Sequence, residues 1–208
     1  DPNKQTYSVT FTQKNQKTPF VIPNQFGLID EGGAEIESGL IIIDEPEKTI
    51  SFNNVKSKPI PSWFRGFSAP IKFNSNLSNQ EKIFLSSNDA DPFNRWDSVQ
   101  SLWLEYILNP ELVIEKNLFG MVEKLFYNES DFALLSEMLS LPSEQIIHQN
   151  VGIINIEDVH KKRRKSILNI ANAFKEILLD TYQTLIYQQF FDLTSYSVGE
   201  RALKNKCL

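Results

Sequence analysis

The sequence predicts an all-β sandwich over residues 1–75 followed by an all-α helical bundle or solenoid over residues 76–208, and three observations carry that reading. Apolar residues alternate with polar ones as far as Phe73, the two-residue period of a strand. From Ser78 onward they recur at steps of three and four, the period of a helix. No Gly/Ser-rich or low-complexity tether separates the two regimes, so the boundary is a change of period.

In the first half, Tyr7, Val9 and Phe11 alternate with Ser8, Thr10 and Thr12, as a half-buried strand demands. Residues 20–22, 25–30, 35–43, 49–52, 63–67 and 71–73 are further strand candidates, short and rich in β-branched or aromatic side chains. Asp30-Glu31-Gly32-Gly33 has the tolerance of positive φ that a hairpin turn needs, and Pro59 and Pro61 read as loop punctuation. Many short strands without an intervening helix argue for an antiparallel sandwich of the immunoglobulin or fibronectin type.

In the second half, Ser78-Asn79-Gln80-Glu81 has capping-box spacing, in which hydroxyl and carboxylate satisfy two orphan amides at a helix start. Trp96, Val99, Leu102, Trp103, Tyr106 and Ile107 form one apolar stripe, and Asn109-Pro110-Glu111 starts another helix with Pro in its first turn. Further helices are expected at residues 131–139 and 143–148, along a long run from 156 to 190, and over 197–208. No motif repeats at a fixed period, so bundle and solenoid both stay open. The chain starts at Asp1 and its last helical segment lacks a Gly or Asn stop signal, so it reads as an excised fragment.

Composition narrows the function classes. With 41% apolar residues, fifteen Phe and six Tyr, the chain carries a packed interior, and a formal charge of −5 gives no global attraction to nucleic acid or to an anionic membrane. The best apolar run, Gly39-Leu40-Ile41-Ile42-Ile43, reads as a buried strand and falls far short of a membrane span. A single cysteine, Cys207, excludes an intrachain disulfide and fits a reducing, cytoplasmic location. The sequons at Asn76 and Asn128 then read as polar surface.

The chain is poor in chemistry. Zinc hydrolysis needs converging imidazole and carboxylate ligands, most recognisably as H-E-x-x-H, yet the two histidines, His148 and His160, stand twelve apart and read as structural. No nucleophile elbow, dinucleotide fingerprint or phosphate loop occurs. Asp89, Asp91 and Asp97 cluster around Asn94 without the Gly and Glu of a calcium loop, which leaves helix capping. Lys161-Lys162-Arg163-Arg164-Lys165 points around a whole helix, with Glu157 and Asp158 four residues before Lys161 and Lys162, and reads as a solvated helix.

Three segments resemble bacterial aminopeptidase N, a family of gluzincin metallopeptidases. They are Phe67-Ser68-Ala69-Pro70-Ile71-Lys72-Phe73, Asp89-Ala90-Asp91-Pro92-Phe93-Asn94-Arg95-Trp96-Asp97-Ser98-Val99-Gln100, and Arg201-Ala202-Leu203-Lys204-Asn205-Lys206-Cys207-Leu208. The resemblance implies a four-domain parent that releases N-terminal residues from peptides, of which the chain carries the β-sandwich and the start of the helical domain. It places the zinc ligands, the general-base Glu and the G-A-M-E-N segment upstream. No catalytic, cofactor-binding or metal-ligating residue is therefore assigned here, and zinc belongs to the parent, not to this fragment. Expected partners are peptides, through the parent, and the remaining domains of the same polypeptide, with neither nucleic acid nor membrane. The fragment itself is expected to be a spacer and part of a helical cap that limits access to the catalytic chamber. A competing reading is a free-standing interaction module, whose gene would lack an upstream H-E-x-x-H; a third, nucleic-acid binding through the basic run, would weaken steeply with salt.

Overall fold

The computed structural model describes residues 4–14, 18–109, 114–151, 155–186 and 193–208. It divides into two compact units, Asp1–Arg95 and Trp96–Leu208. Two antiparallel sheets build the first. Strand β1 (Thr6–Thr12) pairs with β4 (Glu47–Asn53), while β2 (Ile22–Ile29) lies between β3 (Glu35–Ile43) and β5 (Ile60–Ser62).

Alternation decides which side chains meet. Phe11 and Phe52 from one sheet join Phe26, Leu28, Ile41 and Ile43 from the other in a single buried cluster with Val55, Trp63, Phe64 and Ala69. Phe11 stands edge-on to Trp63 at 5.0 Å and Phe26 tilts against Phe52 at 5.2 Å, so aromatic pairs close the sandwich. The β2–β3 turn forms as its residues demand: Asp30 Oδ1 accepts the amides of Gly32 and Ala34, each at 2.9 Å, and Gly33 takes φ +89°.

Four local expectations are corrected. The separate strands expected at 20–22 and 25–30 are one strand, Ile22–Ile29, with Phe20 and Val21 before it and Asp30 after it. Pro61, expected in a loop, lies within β5, a strand at the edge of its sheet where a missing N–H is tolerated. Residues 63–67 are no strand: Arg65–Phe67 is a turn of 3-10 helix, with Phe64 and Gly66 left-handed, and residues 71–73 have no regular structure.

Helix α1 (Asn79–Asn88) opens with the expected capping box, Glu81 N–H reaching Ser78 Oγ at 3.3 Å and Ser78 N–H reaching Glu81 Oε2 at 2.8 Å. Helix α2 (Pro92–Leu108) follows, and the first compact unit ends within its first turns, at Arg95. The remaining helices are α3 (Ile114–Asn128), α4 (Phe132–Met138), α5 (Glu144–His148), α6 (Ile156–Ala173), α7 (Lys175–Ile186) and α8 (Ser195–Lys206). The Pro-initiated start expected at residues 110–111 lies outside the described residues. Asp131, Ser143, Asn155 and Thr194 each cap the helix that follows with a side-chain oxygen.

The predicted stripe on α2 is the core of the second unit. Val99, Leu102, Trp103, Tyr106 and Ile107 are almost wholly buried, and Trp103 Nε1 donates to Met138 O at 2.8 Å, so the indole's polar edge is satisfied in the dry interior. Rings then pass contact along Tyr106, Phe119 and Phe174 at 5.6 and 5.2 Å. The long run from residue 156 breaks at Phe174, whose φ and ψ of −108° and 15° separate α6 from α7. The break lets the ring pack against both Phe119 and Phe126.

Candidate functional site

Among the described residues of the first unit, a dense polar arrangement joins the loop after β5 to the turn between α1 and α2. The loop adopts a costly backbone: Phe64, Gly66 and Phe67 take φ of +58°, +62° and +53°. Each bulky residue held there costs about 1–2 kcal/mol, so the loop persists only because other groups over-determine it. Those groups are visible. Asn24 Oδ1, buried on β2, accepts the Phe64 amide at 2.8 Å, and Asp91 Oδ2 accepts the Gly66 amide at 2.9 Å. Ser68 Oγ accepts the Gln25 amide at 3.1 Å, which ties the loop to β2 beyond the end of β5.

Arg65 is the centre of the arrangement. Its guanidinium lies on Gly27 of β2, where an added Cβ would stand 2.0 Å from Cζ; only glycine leaves room for it. Nε donates to Ser62 Oγ at 3.0 Å, Nη1 donates to Glu35, and Nη2 stands 2.9 Å from Asp89 Oδ1. That last contact is an ion pair by distance without hydrogen-bond alignment, and Asp89 Oδ2 is buried without a hydrogen-bond partner. The Ser38 hydroxyl and then Arg65 hold the Glu35 carboxyl below the usual carboxylate range. Asn94, at the start of α2, completes the joint by donating to Ser62 Oγ at 2.6 Å and to Trp63 O at 2.9 Å.

This cluster works as a latch. Asp89 Oδ1 accepts the Asp91 amide and Asp91 Oδ1 accepts the Asn94 amide, so two of the three clustered aspartates cap and brace the α1–α2 turn. Asp97 is exposed on α2. The sequence pointed to these aspartates but not to Arg65, Glu35, Asn24 or Gly27. The available signals were an Arg inside an aromatic run and a Gly inside an apolar strand.

The other candidates stay separate. His160 Nδ1 lies 2.8 Å from Glu144 Oε1 at the surface, while His148 is on α5 with its Nε2 buried and unpaired. Among the described residues no group of three or more His, Cys, Asp or Glu is placed to hold a metal ion. Burial pushes the Cys207 thiol up to about 11, far from the thiolate character of a nucleophile. The basic run lies on α6 as expected: Lys162 pairs with Asp158 at 3.0 Å, Lys161 with Glu157 at 3.7 Å, and Arg163 Nε donates to Pro142 O at 2.8 Å. Among the described residues no helix is long and apolar enough to cross a membrane.

Residues 1–76 match the family model described as a domain of unknown function (DUF3458) with an Ig-like fold, and residues 79–208 match the companion model (DUF3458_C), described as ARM repeats. The chain is 27% identical to aminopeptidase N of Escherichia coli (strain K12) across its whole length, and 23% identical to aminopeptidase N of Haemophilus influenzae. It spans about a quarter of each, 27% of that protein's length. Among solved structures it is similar to Legionella pneumophila aminopeptidase A in complex with aspartic acid, with a TM-score of 0.87 and 26% identity over all of this chain and 26% of that one. The latch segments, residues 67–73 and 89–100, are two of the three that carry the resemblance. The chain therefore belongs to the DUF3458_C ARM-repeat family, with an Ig-like DUF3458 domain ahead of the helices.

Proposed function

We propose that residues 1–208 are the non-catalytic part of a zinc aminopeptidase that releases N-terminal residues from peptides, with the sandwich serving as spacer and the helices as part of a cap over the catalytic chamber. One observation carries the reading: the likeness to aminopeptidase N runs through the whole chain, yet the chain contains no H-E-x-x-H and only two histidines. Zinc and the reacting groups then lie outside these residues, and no step of the reaction is routed through them. Their contribution is geometric, and the latch around Arg65 has the character such a role needs, because it locks backbone and displays no reactive group. Domain limits of 1–75 and 76–208 and a cytoplasmic location belong to the same reading.

The test compares the whole polypeptide with the 1–208 piece. The whole should carry stoichiometric zinc and hydrolyse a chromogenic alanyl substrate in a chelator-sensitive way; the piece should do neither. Zinc-dependent turnover by the piece would overturn the non-catalytic assignment. An inactive whole polypeptide would favour a free-standing interaction module instead.

A further inference from the structure

The two outward faces of the sandwich differ in chemistry. On the β1–β4 sheet, Ser8 faces Ser51 and Thr10 faces Thr49, and each hydroxyl pair is hydrogen-bonded at 2.8 Å. This is the polar surface expected of an antiparallel sheet with one wet face. The other sheet breaks that rule. On β3, Ile41 and Ile43 enter the core, so Leu40 and Ile42 point away from it, and they are 62% and 39% exposed. Across the ladder Pro23 faces Ile42 and Gln25 faces Leu40. One step before Ile22, whose side chain packs on the core, Val21 extends the same outward row at 72% exposure. Phe20, 59% exposed beside it, is fixed by two hydrogen bonds to the Gln13 amide, at 2.8 and 2.9 Å.

We propose that this outer face, centred on Val21, Leu40 and Ile42, docks an apolar surface of the same polypeptide outside residues 1–208. An antiparallel sheet that faced water on this side would carry the Ser and Thr ladder of its counterpart, and contiguous exposed apolar side chains on a rigid sheet mark a contact surface. The occupant follows from length: the chain spans 27% of the relatives it matches, so nearly three quarters of a whole polypeptide of that kind is available to cover the face. The inference rests on the reading of the chain as part of a longer enzyme, and the two fail separately.

The experiment uses the whole polypeptide carrying Leu40→Cys or Thr10→Cys, pulse-labelled with a maleimide under native conditions and quantified peptide by peptide. Leu40→Cys should label about tenfold more slowly than Thr10→Cys, and both should label alike in urea. In a second arm, Leu40→Glu should lower the Tm of the whole polypeptide while Thr10→Glu leaves it unchanged. Equal native labelling of the two cysteines, with alanyl hydrolysis intact, would remove the docking face and leave the proposed function standing. Protection that disappears on dilution would assign the face to a second copy and overturn the proposal. Protection that survives dilution in an inactive protein would keep the docking face and sink the proposed function.

Discussion

The two compact units hold their elements together by opposite means. In the first, the joint between the β5 loop and the α1–α2 turn is polar: Arg65, Asp89, Glu35, Ser62, Asn94 and Asp91 fix backbone that would otherwise leave its left-handed conformation. In the second, α4 and α8 meet through a close backbone approach at Gly199, where an added Cβ would stand 2.8 Å from the Ala133 amide nitrogen, with Phe132 and Tyr196 tilted together at 5.6 Å beside it. A polar joint fails when one partner is removed and another is left buried and unpaired, whereas a close helix seam fails when volume is added. The comparison therefore makes different demands on each unit.

The largest effect should come from Asp89→Ala. Its side chain is fully buried against Arg65, and breaking a buried pair by removing one partner costs about 3–5 kcal/mol, whereas Arg65→Met combined with Asp89→Leu should cost less than Asp89→Ala alone. Urea unfolding of the three proteins reads the difference. A loss below about 1 kcal/mol for Asp89→Ala, the range of a surface pair, would reduce the latch to an incidental contact.

At the seam, Gly199→Val should cost about 1–3 kcal/mol by overpacking against Ala133, an effect insensitive to salt. Thermal unfolding with and without 0.5 M salt, about the range that screens exposed charges, checks it, and a salt-dependent loss would mean that the cost of the substitution is not steric. Smaller again is Ser78→Ala. It deletes the capping-box acceptor at the start of α1 and should cost about 1 kcal/mol, with Ser78→Gly costing less because glycine suits the N-cap backbone.

The smallest effect is a pH dependence at Glu35. Its carboxyl is held below the ordinary value of 4.5 by Ser38 and Arg65, so its contribution to stability is complete above that value and is lost as pH falls through the lower folded value. Glu35→Gln should lower stability at neutral pH and shrink the difference from the parent protein below about pH 4. A difference that stays constant from pH 7 to 3 would show that Glu35 acts through packing rather than charge.

Much of the local architecture was legible because it depends on neighbours in sequence. Alternation of Tyr7, Val9 and Phe11 with hydroxyl residues specifies β1, Asp30-Glu31-Gly32-Gly33 specifies a turn, and Ser78 with Glu81 specifies a helix start, each through groups a few residues apart. Glu157 and Asp158 pair with Lys161 and Lys162 for the same reason. The break at Phe174 was not legible, since the ring leaves the helical course to meet Phe119 and Phe126 from another helix.

The sequence by itself determined the two periods, the caps and the scarcity of reactive groups, all of which follow from residue type and spacing. Only the tertiary structure decided that Trp63 to Phe67 abandon a strand-like pattern for a left-handed turn. Local propensity favours extended backbone for such aromatic residues, but Asn24, forty residues before Phe64, and Asp91, twenty-five after Gly66, capture amides that a strand would have turned to its neighbour. The same holds for Gly27, whose missing side chain becomes the seat of Arg65 only after β2 and the β5 loop have met. Contacts over such separations depend on which surfaces the fold brings together, and no pattern of spacing along the chain records them.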